Sequence, residues 1–145
     1  MGTDVRKLAL DGYPGQNIIA CDLRDDYIKI GFKLFGDITT CPITFIKGDI
    51  FSVSSSPPEA SAASISSLRN IQDLSQLKGR LTHIYAGALF HLFNEETQFA
   101  IAVRLATLVK RAPGSIIFGR HQGREEAGVI DDDMGRYEFS WVGIL

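Results

Sequence analysis

The sequence predicts an α/β fold: a Rossmann-like parallel sheet with helices on both faces. Three observations predict it. Short continuous apolar runs of strand length alternate with segments of helical period. The segments follow in the order helix, strand, helix, strand, helix, strand, helix, strand, as parallel strands joined by helical crossovers require. Informative polar or glycine residues stand just past each apolar run, where ligands sit in open α/β sheets.

The elements follow in order. Val5, Leu8 and Ala9 share one helical face, with Arg6 and Lys7 off it, so a helix is expected over Asp4–Leu10 with Gly2-Thr3-Asp4 at its start and Gly12 as its stop. Asp11-Gly12-Tyr13-Pro14-Gly15 is a turn cluster. Asn17-Ile18-Ile19-Ala20-Cys21 reads as a strand ending in Asp22. From Asp25 the period turns helical, with Tyr27, Ile30, Gly31 and Leu34 on one face. Ile43-Thr44-Phe45-Ile46 is a second strand, running through Lys47-Gly48 into Asp49. Residues 52 to 67 hold eight serines in sixteen positions plus Pro57-Pro58, the composition of a flexible insertion. Ile65, Leu68, Ile71, Leu74 and Leu77 repeat every three residues and suggest a modest helix ended by Gly79. The third strand runs from Leu81 to about Leu89. Asn94 caps the clearest helix, with Glu95 and Glu96 in its first turn and an apolar stripe of Phe99, Ala102, Val103, Ala106 and Val109. Ser115-Ile116-Ile117-Phe118 is a fourth, buried strand, and Gly119 to Leu145 shows no clear period.

Composition excludes several classes of function. The 145 residues suit one domain with its own core. Fifteen Lys and Arg against 17 Asp and Glu leave a net charge of −2, which offers no basic field to nucleic acid or an anionic membrane. Cys21 and Cys41 lack CxxC spacing and fit a reduced interior. With no signal-peptide core and no apolar run near membrane length, a cytoplasmic protein is expected. Gly-x-Ser-x-Gly and Gly-x-x-x-x-Gly-Lys-Ser/Thr signatures are lacking, which disfavours hydrolase and P-loop readings. Asp131-Asp132-Asp133 reads as a solvated loop rather than a metal site, since no His/Cys cluster supports it.

Two strand-end acids carry the chemistry. Asp22 lies 20 residues after Gly2, the spacing that separates a glycine-rich nucleotide loop from the acid that bonds a ribose hydroxyl pair. A carboxylate accepts from two vicinal hydroxyls at once. Asp49, in Gly48-Asp49-Ile50-Phe51, is a second acid at an equivalent strand end. Each has a plainer reading as a turn former, Asp49 as an Asx turn. The pair is more specific than either alone, because both would face one crevice.

Asp4-Val5-Arg6-Lys7-Leu8, Cys21-Asp22-Leu23, Gly48-Asp49-Ile50-Phe51, Leu81 through Phe93, and Gly119-Arg120-His121-Gln122-Gly123 together resemble the fungal class I S-adenosylmethionine-dependent methyltransferases. Within that family the chain looks most like enzymes acting on small molecules in polyketide and meroterpenoid biosynthesis. The resemblance runs from Gly2 to about Gly135. It implies that Asp22 binds the donor's ribose hydroxyls with Leu23 packed beside the adenosine. It implies that Asp49 bonds the adenine amine while Ile50 covers the ring. Gly2 then belongs to the donor loop, and Ala86 and Gly87 lie near the donor's methionine part. Phe90 and His91 look like pocket walls, and Arg120 and Gln122 face the acceptor side. Methyl transfer needs a base only where the acceptor arrives protonated, and His91 is the candidate for a hydroxyl acceptor. His121 is a similar candidate, and His83, inside a strand, reads as core or surface.

The chain also departs from the family pattern. The family's first, central strand has no counterpart before Gly2, and its C-terminal hairpin is not evident after Gly123. On this reading the chain is a partial domain, expected to be marginal alone and to bind S-adenosylmethionine poorly. Two alternatives remain at this point: an inactive remnant that binds a partner and completes its sheet in an oligomer, or another Rossmann-type enzyme using a nicotinamide cofactor. The acceptor is expected to be a small molecule of unassigned identity.

Overall fold

The computed structural model describes residues 2–57 and 67–121 in full, and the backbone of Gly128–Asp131 and Tyr137–Ser140. Its elements are α1 (Thr3–Leu10), β1 (Ile19–Asp22), α2 (Asp25–Phe35), β2 (Thr44–Lys47), β3 (His83–Gly87), α3 (Glu95–Leu108), β4 (Ile116–Arg120), β5 (Gly128–Asp131) and β6 (Tyr137–Ser140). The chain is therefore α/β with parallel strand pairs, and it divides into two compact units. None of the helices among the described residues is long and apolar enough to cross a membrane.

The first unit comprises residues 1–53 and 59–76. Here β1 and β2 pair in parallel, Ile19 opposite Thr44 through Asp22 opposite Lys47. Ile18, Ile28, Ile43, Ile46, Val53, Ile71 and Leu74 form its core. The buried face of α2 carries Ile28 and Gly31; of the expected stripe Gly31 alone is buried, for Tyr27, Ile30 and Leu34 are exposed. The helix is apolar on more than one side, so periodicity alone could not choose its face.

In α1 the expected polar side is kept by Lys7, which is exposed, but not by Arg6. Arg6 is buried and Leu8 is 45% exposed. The Arg6 guanidinium lies 5.3, 4.6 and 4.7 Å from the ring centroids of Phe32, Phe35 and Phe45. A cation enclosed by aromatic faces and paired with a carboxylate has its desolvation compensated.

The helix expected over Ile65–Leu77 begins outside the described residues, and from residue 67 onward it is corrected to two short 3₁₀ turns, Leu68–Asn70 and Leu74–Leu77. Its three-residue spacing matches that tighter helix. Local side chains also capture the backbone donors an α-helix needs. Ser67 Oγ accepts from Arg69 N (3.2 Å), Asp73 Oδ1 from Ser75 N (2.7 Å), and Gln76 Oε1 from Gln72 N (2.8 Å). Most of the serine-rich segment, 58–66, lies outside the described residues, but its early member Val53 is fully buried.

The second unit comprises residues 54–58 and 77–145. β3 and β4 pair in parallel, His83 opposite Ile116 through Gly87 opposite Arg120. Leu77, Ile84, Ala86, Ile101, Leu105 and Leu108 form the core. Asn94 caps α3 as expected, its Oδ1 accepting from Thr97 N at 2.9 Å. The buried face of α3 is Gln98, Ile101, Leu105 and Leu108, while Phe99 of the expected stripe is 71% exposed. β4 is likewise not buried: all five of its residues are exposed.

The expected absence of a C-terminal hairpin is corrected too. β5 and β6 pair antiparallel, Gly128 opposite Ser140 through Asp131 opposite Tyr137. The signal is short: β-branched Val129-Ile130, then aromatics at alternate positions Tyr137 and Phe139.

Candidate functional site

In the first unit the parallel ladder sets two acids at the C-terminal ends of neighbouring strands. Asp22 closes β1, and Asp49 stands two residues past β2. The ladder continues one step beyond the strands, because Gly48 N donates to the Asp22 carbonyl at 3.1 Å. Each carboxylate is oriented by its own turn: Asp22 Oδ1 accepts from Arg24 N and Asp49 Oδ1 from Phe51 N, both at 2.9 Å. These are the plain Asx turns weighed from the sequence, and they hold only one oxygen of each acid. Among the described residues the second oxygen of each carries no hydrogen bond. Beside them Leu23 is 60% exposed and Ile50 is half-buried, so each acid has an apolar neighbour open to a ligand.

Cys21 is a close neighbour of this pair. Its thiol donates to the Gly48 carbonyl at 3.5 Å. Although the residue keeps an open surface, the thiol is pushed up to about 11, first by desolvation of the sulfur and then by the carboxylates of Asp22, Asp49 and Asp73. It therefore stays protonated near neutrality, which agrees with an inert cysteine. A side chain at Gly48 would press on Cys21 Sγ at 3.0 Å and on Leu74 at 3.2 Å.

Gly2, the remaining site residue of this unit, precedes α1 in a left-handed conformation with φ 74°. A Cβ there would lie 2.6 Å from Phe45 and 2.9 Å from Arg6 Nη1, so the position requires glycine twice over.

In the second unit, Ala86 is buried and Gly87 is exposed at the end of β3. Ala88 follows with φ 53°, a strained conformation for a residue with a Cβ, and its N–H donates to the Arg120 carbonyl at 2.7 Å. Tyr85, which sequence reasoning missed, lies over Gly87: a Cβ there would meet its hydroxyl oxygen at 2.6 Å. Arg120 Nε donates to that hydroxyl at 3.3 Å. The missed signal was strand alternation, since Tyr85 shares its side of β3 with Gly87.

Phe90 and His91 occupy a 3₁₀ turn after β3. Phe90 lines an open cleft of about 530 Å³ together with Glu95, Glu96, Gln98, Phe99, Ala102 and His121. Gln98 is fixed in its wall, its Nε2 donating to the Phe93 carbonyl at 2.8 Å. His91 is 7% exposed and is not among the lining residues, whereas His121 is. His83 is exposed on β3. Gln122 lies outside the described residues. No group of His, Cys, Asp and Glu among the described residues is arranged to hold a metal ion.

Comparison with known proteins returns fungal methyltransferases. The chain is 30% identical to O-methyltransferase phiE of a fungal species over 128 residues, which is 88% of this chain and 37% of that protein. It is 34% identical to O-methyltransferase atr3 of Stereocaulon alpinum over 122 residues, 83% of this chain and 30% of the relative. It is 31% identical to the Asnovolin E/Chermesin D methyltransferase of Aspergillus novofumigatus over 134 residues, 92% of this chain and 42% of the relative. The chain thus spans well under half the length of these relatives. Neither a protein-family profile nor a solved structure matches it.

Proposed function

We propose, from its similarity to fungal methyltransferases, that this chain serves S-adenosylmethionine-dependent methyl transfer to a small-molecule acceptor of polyketide or terpenoid kind. The observation that carries the reading is the acid pair at the ends of β1 and β2. Each acid has one oxygen tied to its own backbone turn, and among the described residues the other accepts no hydrogen bond. Such a pair suits a nucleoside, which presents vicinal hydroxyls at one end and an exocyclic amine at the other.

In this reading Asp22 accepts from the ribose hydroxyls and Asp49 from the adenine amine, with Leu23 and Ile50 giving the apolar contact. Gly2 serves the methionine end, where bare backbone allows close approach. The donor supplies the reactive methyl group as a sulfonium, and the protein supplies position and a dry pocket. Once bound, the donor would offer that methyl carbon to the acceptor's lone pair, and the carbon–sulfur bonding pair would stay on sulfur. A hydroxyl acceptor must also release its proton, and a carboxylate acceptor need not. The cleft bounded by Phe90, Phe99 and Ala102 suits an apolar acceptor, with Arg120 nearby in sequence to His121. As the base for a hydroxyl, His121 at the cleft is better placed than the buried His91.

Thermal shift at millimolar S-adenosylmethionine, with NAD as the control, tests the reading. A rise in Tm with the methyl donor and none with NAD is expected. A rise with NAD alone, or with neither, overturns it.

A further inference from the structure

We infer that Arg6, clamped by Asp37, is a positioning residue that fixes the backbone of Gly2 for the donor without touching the donor itself. The inference rests on the reading of Gly2 as a donor-loop residue given above.

Arg6 uses its planar fork in two directions at once. Nε and Nη2 donate to Asp37 Oδ2 and Oδ1 at 2.6 and 3.0 Å. Nη1 donates to the Gly2 carbonyl at 3.3 Å, and the Arg6 backbone N–H donates to the same oxygen at 3.3 Å. Phe32, Phe35 and Phe45 enclose the guanidinium, whose side chain is only 7% exposed.

An apolar side chain of similar volume would fill this aromatic site at no desolvation cost. What it could not do is reach from a carboxylate to a backbone carbonyl. That carbonyl belongs to a residue with a left-handed backbone, where a Cβ would press on Phe45 at 2.6 Å. Gly2 has no side chain to cap α1, and its conformation is set from outside by a cation locked in the core. Lysine at position 6 would keep the charge but lose the bidentate fork. Asparagine at position 37 would keep one acceptor and lose the other.

The test titrates S-adenosylmethionine, S-adenosylhomocysteine and 5′-methylthioadenosine into the wild-type chain, Arg6→Lys and Asp37→Asn. The last ligand keeps the nucleoside and the sulfur but lacks the amino-acid end. Both variants are expected to weaken the first two ligands about tenfold or more and to leave the third unchanged within about twofold. Amide hydrogen exchange over residues 3–7, measured without ligand, is expected to speed up in both variants. Equal losses for all three ligands would show a general packing role and overturn the inference, as would unchanged affinities. A wild-type chain that binds none of the three overturns the donor reading instead, and the exchange measurement then decides: unchanged protection at 3–7 overturns the clamp. Asp37→Asn retains the buried fork, so it reports even where Arg6→Lys does not fold.

Discussion

Gly119 stands opposite Ala86 in the β3–β4 ladder so closely that a Cβ on it would lie 2.1 Å from the Ala86 carbonyl oxygen. The obstacle is backbone and cannot rotate away. Gly119→Ala must therefore displace β4 or break the register that aligns Gly87 with Arg120. A loss of about 1–3 kcal/mol is expected, read by chemical denaturation. Gly87→Ala is the control, because its Cβ would meet the Tyr85 side chain, which can swing aside. An equal loss for the two variants would contradict the assigned register.

The Arg6–Asp37 pair makes stability depend on acid. The Arg6 guanidinium holds the Asp37 carboxyl below its ordinary range, against the opposing effect of partial burial. A group whose folded pKa is depressed contributes stability fully above its unfolded value, about 3.9 for Asp, and loses it as pH falls through the folded value. The wild-type chain is thus expected to lose stability more steeply than Asp37→Asn below about pH 4. At neutral pH the variant is expected to be weaker by about 1–2 kcal/mol. Parallel acid denaturation curves would remove the pair from the account.

Asp22 and Asp49 give a cleaner separation of binding from folding. Asparagine can keep each Asx turn through its own side-chain oxygen. Asp22→Asn and Asp49→Asn are therefore expected to stay within about 0.5 kcal/mol of wild-type stability. Donor affinity is expected to fall about tenfold or more in each, since a charge-assisted acceptor is lost. Calorimetric titration beside a thermal melt measures both, and undiminished affinity would remove the acids from the site.

These positions also show what the sequence made legible. Strand ends were readable because an apolar run stopped at Asp22 or ran on into Asp49, and Asn94 announced α3 by its side chain. Arg6 was not readable. A cation beside Lys7 looks solvated, and the rings and carboxylate that enclose it stand at 32, 35, 37 and 45. Nothing local records such a contact. Tyr85 escaped for a related reason: its partner Arg120 is 35 residues away. The hairpin of β5 and β6 went unseen because two four-residue strands carry too little periodicity to stand above a polar background.

Cys21 reports on the acid pair through their charges. In a Cys41→Ser background its alkylation by a maleimide is expected to reach half its maximal rate near pH 11. An unhindered thiol does so near pH 8.5. Asp49→Asn is expected to lower the midpoint, because one of the charges that disfavour the thiolate is gone. A wild-type midpoint near the unhindered value would mean that the sulfur is neither desolvated nor beside the carboxylates.

The two faces of α3 pose the sharpest test of the second unit, because the helix is apolar on both. Ile101 is fully buried with Leu105 and Leu108 near it on the same stripe, whereas Phe99 is 71% exposed and lines the cleft. Ile101→Ala removes buried methylenes and leaves a cavity, so a loss of about 2–5 kcal/mol is expected. Phe99→Ala removes a larger side chain, yet one mostly in water, so a change within about 0.5 kcal/mol is expected. The larger deletion should thus cost less, the reverse of what residue size alone predicts. Acceptor affinity should follow the opposite order, with Phe99→Ala weakening it by the loss of an aromatic wall and Ile101→Ala sparing it wherever the helix stays folded. Denaturation curves and acceptor titrations on the same two variants decide it. A Phe99→Ala chain as unstable as Ile101→Ala would mean that the cleft face of α3 is core and not a binding surface.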